Sequence, residues 1–223
     1  MATKKIAIDG PAGAGKSTIA KYLAKKLGYI YVDTGAMYRS VALFCIEHGV
    51  SPTCEEKVNE LLPQIDVDIR YEGGVQQVYL CGRNVSELIR TPEVSMGASD
   101  VSKHLEVRKY LVQLQRGIAS RQDVIMDGRD IATAVIPDAD VAIFLTADVR
   151  DRAQRRYDEL TAKGEEVSFE DVLEDMKKRD HNDSTRANSP LRQAENAILA
   201  DTTGCTLDQA IEKLSAIITE NLK

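Results

Sequence analysis

The stretch DGPAGAGKST, Asp9 to Thr18, combines small flexible residues with one lysine and two hydroxyls at a spacing suited to a chain of phosphates. Gly10, Pro11, Ala12, Gly13, Ala14, Gly15, Lys16 and Ser17 satisfy G-x-x-x-x-G-K-[ST] in full, and Thr18 follows directly. Glycines let the backbone wrap with its N–H groups turned inward as an anion nest, and a helix N-terminus behind the loop adds partial positive charge. In such a loop Lys16 neutralises the β- and γ-phosphates and the Ser17 hydroxyl holds Mg²⁺. The motif carries weight only between a strand and a helix, and both flanks agree with that context.

A phosphate loop leaves the reaction open. Asp201-Thr202-Thr203-Gly204 matches the D-x-x-G of nucleotide switches, but it follows the final predicted strand and no N-K-x-D base-reading motif accompanies it, so it reads as a turn. An L-S-G-G-Q transporter signature is also absent from the sequence. Kinases of small metabolites stay open at this point, as does a regulatory nucleotide switch.

The elements that must position the loop follow from hydrophobic periodicity. KKIAIDG predicts a buried strand from Lys5 to Asp9, and Ile19, Leu23 and Leu27 predict a helix over about Lys16 to Leu27, stopped by Gly28. A strand from Tyr29 to Asp33 and a helix carrying Val41, Ala42, Cys45 and Ile46 complete a strand-helix-strand-helix pattern, which predicts a doubly wound α/β fold. Thr53 with Glu56 suggests a capping box for a short helix. DVDIRYEGGVQQVYLCG alternates with period two around Gly73-Gly74 and predicts an antiparallel hairpin inserted into the parallel fold. Thr91-Pro92 opens a helix, and Val107, Leu111, Leu114 and Ile118 mark a longer one. Val124 to Asp127, Val141 to Thr146 and Ala197 to Asp201 read as core strands, and Thr206 with Gln209 caps the last helix. Between the last two strands, Arg150 to Gln193 is too charged and too long for a simple crossover. It reads as helix, turn, helix, with Ser168 opening the second, which is a composition suited to a lid.

Three further segments, DTGAMYRS (33–40), MDGRDIAT (126–133) and KKRDHNDSTRANSPL (177–191), supply polar and cationic residues, two of them at strand C-termini, where open α/β sheets bind ligands. Together with the phosphate loop and GRNVSELIR after the hairpin, their order resembles that of the bacterial cytidylate kinases over nearly the whole chain. The resemblance implies a P-loop NTPase-type doubly wound parallel five-stranded sheet with an inserted small antiparallel sheet and a helical lid. It implies one domain, with a core of 1–63, 91–150 and 194–223, a monophosphate-binding insert of about 64–90 and a lid of about 151–193. The activity implied is Mg²⁺-dependent transfer of phosphate from ATP to CMP or dCMP. Arg39 and Arg129 would clamp the CMP phosphate, with Thr34 adding a hydroxyl and Tyr38 lining the same site. Ser99, Arg108 and Asp130 would face cytosine, while Arg179, Asp183 and Arg186 would close from the lid. Lys16, Arg129, Arg179 and Arg186 would be the catalytic cations, and Asp127 would join Ser17 in orienting Mg²⁺. UMP or another small acceptor is the neighbouring alternative. Arg152, Arg155 and Arg156 stay open between phosphate contact and helix surface.

Composition narrows the partners. The formal net charge of −6 argues against a nucleic-acid polymer, which requires a basic face. Within Arg150 to Arg192, seven Arg and three Lys face six Asp and five Glu, so the arginines there are individually placed and form no polyanion stripe. No apolar run approaches the roughly 18 residues that span a bilayer, and the N-terminus lacks a signal-peptide core, so a cytoplasmic monomer with no membrane partner is expected. Cys45, Cys54, Cys81 and Cys205 read as buried or half-buried apolar residues, and His48, His104 and His181 as packing or surface residues without metal spacing.

Overall fold

The computed structural model describes residues 3–222. Strand β1 (Lys5–Asp9) is buried over its last four residues and runs directly into the phosphate loop. Gly10 has φ 151°, and a Cβ there would lie 1.9 Å from the Leu145 carbonyl oxygen, so glycine is required where the chain turns between neighbouring strands. Helix α1 (Lys16–Leu27) starts at Gly15 and stops at Gly28, both left-handed, with the Gly28 N–H bonded to the Ala24 carbonyl. Ile19 and Leu23 are buried as their spacing predicts, whereas Leu27, on the last turn, is exposed.

Strand β2 (Ile30–Asp33) leads into α2 (Thr34–Glu47), whose first turn is capped by the Asp33 side chain on the Ala36 N–H. Helix α3 (Glu55–Leu61) does not begin with the capping box expected at Thr53: its N-cap is Cys54, which makes no side-chain cap. The Thr53 hydroxyl is instead bonded to Ser51 Oγ in a local turn, the competing use of short hydroxyl side chains outside helices. Strands β3 (Val67–Glu72) and β4 (Val75–Leu80) form the expected hairpin around Gly73 and Gly74, both at positive φ, and β5 (Arg83–Asn84) adds a short third strand.

Helix α4 (Pro92–Val101) carries the Thr91 cap, and α5 (Leu105–Ala119) buries Val107, Leu111 and Ile118. Strands β6 (Val124–Gly128) and β7 (Val141–Thr146) flank a π-type turn at Ile131–Val135. Helices α6 (Val149–Ala162) and α7 (Phe169–Thr185, capped by Ser168) form a hairpin, followed by β8 (Ile198–Asp201) and α8 (Leu207–Asn221), which keeps both halves of its Thr206–Gln209 capping box.

All five long-sheet strands are parallel in the order β2-β6-β1-β7-β8, and the second sheet runs β3-β4-β5. Side chains alternate across the parallel sheet. Ile6, Ile8, Ile125 and Ile143 pack with α1 and α8, while Ala7, Val32 and Met126 pack with α2, α5 and the inserted sheet. The α6–α7 hairpin has a small apolar cluster of its own around Ala153, Leu160, Val172 and Leu173. This topology brings the ends of β1, β2 and β6 together, with Asp33 in register with Asp127 and Asp9 with Gly128.

The cysteines are free thiols. Cys45 is buried and Cys54 and Cys205 are half-buried, but Cys81 is exposed, because it occupies the tight β4–β5 turn at φ 49°. The backbone constraint at Gly10 gives a direct stability test. Gly10→Ala combines an unfavourable φ with a collision against backbone and is expected to lower the unfolding free energy by about 2 kcal/mol or more, read from urea denaturation midpoints.

Candidate active site

The strand ends open into a single cleft of about 1070 Å³. Its walls include Ala12 to Thr18 of the phosphate loop, and Gly10 and Pro11 are buried behind it. Lys16 is 5% exposed and donates from Nζ to the Pro11 carbonyl at 2.7 Å. Burial, reinforced by the Arg129 charge, pushes the Lys16 ammonium down to about 7, against the opposing pull of Asp127, Asp183 and Asp9. A Cβ on Gly13, at φ 72°, would meet the Met176 methyl at 2.3 Å and the Arg152 Cβ and carbonyl oxygen at 3.2 and 3.3 Å, so α6 and α7 both lie against the loop.

Behind the loop, Ser17 Oγ donates to Asp127 Oδ2 at 2.8 Å, and the Tyr31 hydroxyl donates to Asp127 Oδ1 at 2.8 Å. Burial and the neighbouring Asp33 raise the Asp127 carboxyl above its ordinary range, so added positive charge beside it would be stabilising. Among the described residues no cluster of three or more His, Cys, Asp or Glu could hold an ion by itself. One hydroxyl and one carboxylate are nonetheless a fitting donor set for Mg²⁺, which takes oxygen ligands and fills most of its shell with water and substrate phosphates.

The acceptor-side residues predicted from sequence, Thr34, Tyr38, Arg39, Ser99, Arg108, Arg129, Asp130, Arg179, Asp183 and Arg186, all line the same cleft. Most of its cations are already held by carboxylates. Arg39 Nη2 meets Asp33 Oδ2 at 2.8 Å, and Arg129 Nε meets Asp183 Oδ2 at 2.7 Å. Asp130 sits between two arginines: Arg108 Nη2 on one oxygen and Arg186 Nη2 on the other at 3.3 Å. Although burial pushes the other way, Arg129 holds the Asp183 carboxyl below its usual range, and Arg39 does the same for Asp33.

Some polar atoms remain open. Ser99 Oγ, Arg39 Nε and Arg179 Nε are buried without a hydrogen-bond partner among the described residues. Burial and the nearby Arg129 charge lower the Arg179 guanidinium below its ordinary value. Thr34 is more committed, because its hydroxyl donates to the Asp127 carbonyl at 2.7 Å.

The three lid-region arginines left open by sequence differ in their partners, and Arg155 and Arg156 also line the cleft. Arg152 is buried and bonded to the Ala12 and Ala147 carbonyls and to Asp180, tying α6 to both the phosphate loop and α7. Arg155 donates to the Thr202 and Cys205 carbonyls, which fixes the DTTG segment as a turn beside the cleft, and Arg156 pairs with Glu159 on the same helix. Sequence reasoning assigned no role to Asp9, Asp33, Tyr31 or Asp180. The available signal was a carboxylate ending an apolar strand, which both Asp9 and Asp33 present.

A family model described as cytidylate kinase matches residues 6–220. The chain is 52% identical over 209 residues to the cytidylate kinase of Caldicellulosiruptor bescii, covering 94% of this chain and 92% of that protein. It is 49% identical over 222 residues to that of Leuconostoc mesenteroides, covering 100% and 99%. Among solved structures, an uncharacterized protein from Eubacterium ventriosum aligns over 98% of this chain and 99% of that one with TM-score 0.55 at 14% identity, a likeness of fold alone.

The lowered Lys16 value has a measurable consequence. Between about pH 7 and the ordinary lysine range, free Lys16 is largely neutral, whereas a triphosphate placed against it favours the ammonium, so binding must take up a proton. Calorimetric titration with a non-hydrolysable ATP analogue and Mg²⁺ at pH 8, in buffers of different ionisation enthalpy, should show uptake of most of one proton. Lys16→Met should abolish that uptake. Equal uptake in both proteins would assign the proton to another group.

Proposed function

Because the chain belongs to the cytidylate kinase family, we propose that it transfers the γ-phosphoryl group of ATP to CMP or dCMP, releasing ADP with CDP or dCDP. The observation that carries this reading is the placement of Lys16 and the arginines Arg39, Arg129, Arg179 and Arg186 around one cleft whose inner carboxylates are all engaged. A hydroxyl acceptor would call for a free carboxylate as general base. A nucleoside monophosphate has a second pKa near 6, so at neutral pH it is largely dianionic and nucleophilic without one.

The task left to the protein is electrostatic. Two phosphate groups that repel each other must be held in line while charge spreads over the transferring group. Lys16 would bind the β- and γ-phosphates of ATP on the loop formed by Gly10 to Thr18. Arg39 and Arg129 would hold the acceptor phosphate, with Arg179 and Arg186 closing over both from the α6–α7 side. Mg²⁺, when bound by Ser17 and Asp127, would supply charge neutralisation between the β- and γ-oxygens. Thr34 and Tyr38 would border the acceptor, and Asp183 would reach its sugar. Closure of the lid excludes water and so suppresses ATP hydrolysis.

Ser99, Arg108 and Asp130 would select the base. Cytosine offers an N4 amino donor where uracil offers an O4 acceptor, so a carboxylate at that edge attracts one base and repels the other. An ionised carboxylate has about four lone-pair sites, so Asp130 retains acceptor capacity beyond its two arginine contacts. Action in the cytoplasm as a monomer completes the proposal, with four free thiols fitting a reducing compartment. Among the described residues no helix is long and apolar enough to cross a membrane.

The direct test is ADP release in a coupled assay across a panel of nucleoside monophosphates. Strong stimulation by CMP and dCMP is expected, and slow hydrolysis insensitive to every acceptor would refute the reading. Base selection has its own test in Asp130→Asn, which replaces an obligate acceptor with a group that also donates. The CMP:UMP ratio of kcat/KM should fall roughly tenfold or more, equivalent to about 1.4 kcal/mol. If both substrates weaken in constant proportion, Asp130 serves only to hold Arg108 and Arg186.

A further inference from the structure

Asp130 stands at the N-cap position of the Ile131–Val135 turn and makes no side-chain cap there. An aspartate at such a position ordinarily accepts from the first free N–H groups of the turn it starts. Here its carboxylate points instead to Arg108 and Arg186 in the cleft. The free N–H groups are taken from elsewhere: Ile131 N–H donates to Asp9 Oδ1 and Ala132 N–H to Asp9 Oδ2, each at 2.8 Å. Asp9 ends β1, more than a hundred residues away in sequence, and its register partner on β6 is Gly128.

Asp9 is 2% exposed and, among the described residues, makes no ion pair within 4 Å, unlike Asp33, Asp130 and Asp183. A buried carboxylate without a cation is expensive unless its hydrogen bonds are both strong and needed. The segment it grips is also tight, since a Cβ on Gly128 would lie 2.7 Å from the Ile131 side chain and 2.8 Å from Thr34 Oγ1.

We propose that Asp9 is a positioning residue that caps the 131–135 turn from the neighbouring strand and thereby leaves the Asp130 carboxylate free to face the cleft. Its functional consequence rests on the reading of Asp130 as the base-selecting acceptor. Without Asp9, the nearest carboxylate able to satisfy those amides is Asp130 itself, which would turn away from Arg108 and Arg186 onto its own turn. Asp9 thus acts on acceptor recognition, although the next residue in the chain opens the donor's phosphate loop.

The test compares Asp9→Ala, Asp9→Asn and Asp130→Asn in the full chain. In a crystal structure of Asp9→Ala, the Asp130 carboxylate should lie on the Ile131 and Ala132 amides with its arginine pairs broken. An Asp130 still paired with Arg108 and Arg186 overturns the proposal. In solution the CMP:UMP ratio of kcat/KM should fall roughly fivefold or more, the scale of a lost cap, with affinity for a non-hydrolysable ATP analogue within about twofold of the parent. Asp9→Asn, which keeps one acceptor oxygen, should show a smaller fall and carries the test if the alanine variant does not fold. A constant CMP:UMP ratio in Asp9→Asn while Asp130→Asn lowers it counts against the proposal. If Asp130→Asn leaves the ratio unchanged, base selection by Asp130 fails, and the position of Asp130 in the Asp9→Ala or Asp9→Asn crystal still decides whether Asp9 caps the turn.

Discussion

Basic side chains crowd one cleft, and the carboxylates set among them are what allow that density to persist in a folded, ligand-free chain. Two like charges 4 Å apart at an effective dielectric of 20 repel by about 4 kcal/mol, so Arg39, Arg108, Arg129, Arg179 and Arg186 could not be gathered uncompensated around Lys16, whose own ammonium is already pushed toward neutrality by burial and Arg129. Asp33, Asp183 and Asp130 each take one or two of them, and Asp127 faces Lys16 across the loop. The compensation is uneven. Among the described residues Lys16 rests only on a carbonyl and Arg179 leaves its Nε without a partner, and both are lowered from their ordinary values by burial and by Arg129. An incoming phosphate therefore gains most where the internal counter-ions are missing.

This imbalance also separates the two sides of the cleft. On the proposed donor side the Lys16 amine is held, among the described residues, by the Pro11 carbonyl, so a triphosphate there would displace no carboxylate from it. On the proposed acceptor side Arg39 and Arg129 are already paired, and a phosphate would have to share or displace Asp33 and Asp183. Weakly bound anions compete poorly against such pairs, because a buried pair is broken only by a ligand that replaces the lost charge. A dianionic acceptor placed by several groups at once meets that condition better than a stray monoanion.

Much of this was legible in the sequence where a local rule acts alone. Gly15 and Gly28 bound α1, Thr91-Pro92, Ser168 and Thr206 start their helices, and Gly73-Gly74 makes the hairpin turn, because each is decided by backbone conformation or a cap within four residues. The gathering of the predicted acceptor-side residues into one cleft was implied by the family resemblance that the ordered motifs carry, two of those motifs lying at strand ends. What sequence alone left hidden depends on pairing across long separations. Arg152 stays open between phosphate contact and helix surface until α7 brings Asp180 to it, and Asp9 reads as a strand end until the segment after β6 delivers two amides. Thr53 misled for the opposite reason, since a very local bond to Ser51 outcompeted the cap. Cys81 is exposed because a left-handed turn position outweighs a cysteine's preference for burial.

The inserted hairpin is tied into the same electrostatic arrangement through the sheet edge. Strand β2 lies at the end of the parallel sheet and would present unpaired backbone groups. Gln76 of β4 accepts from the Asp33 N–H at 2.8 Å and donates to the Asp33 carbonyl at 3.4 Å, while the Tyr71 hydroxyl of β3 donates to the Tyr31 carbonyl at 3.1 Å. Two side chains thus do the work of a missing neighbouring strand. The residue that Gln76 grips is Asp33, whose carboxylate caps α2 and holds Arg39. The insert and the proposed phosphate clamp are therefore joined through the backbone and side chain of a single residue. A displacement of the hairpin would reach Arg39 through Asp33 before it reached the phosphate loop, two strands away across β6 and β1.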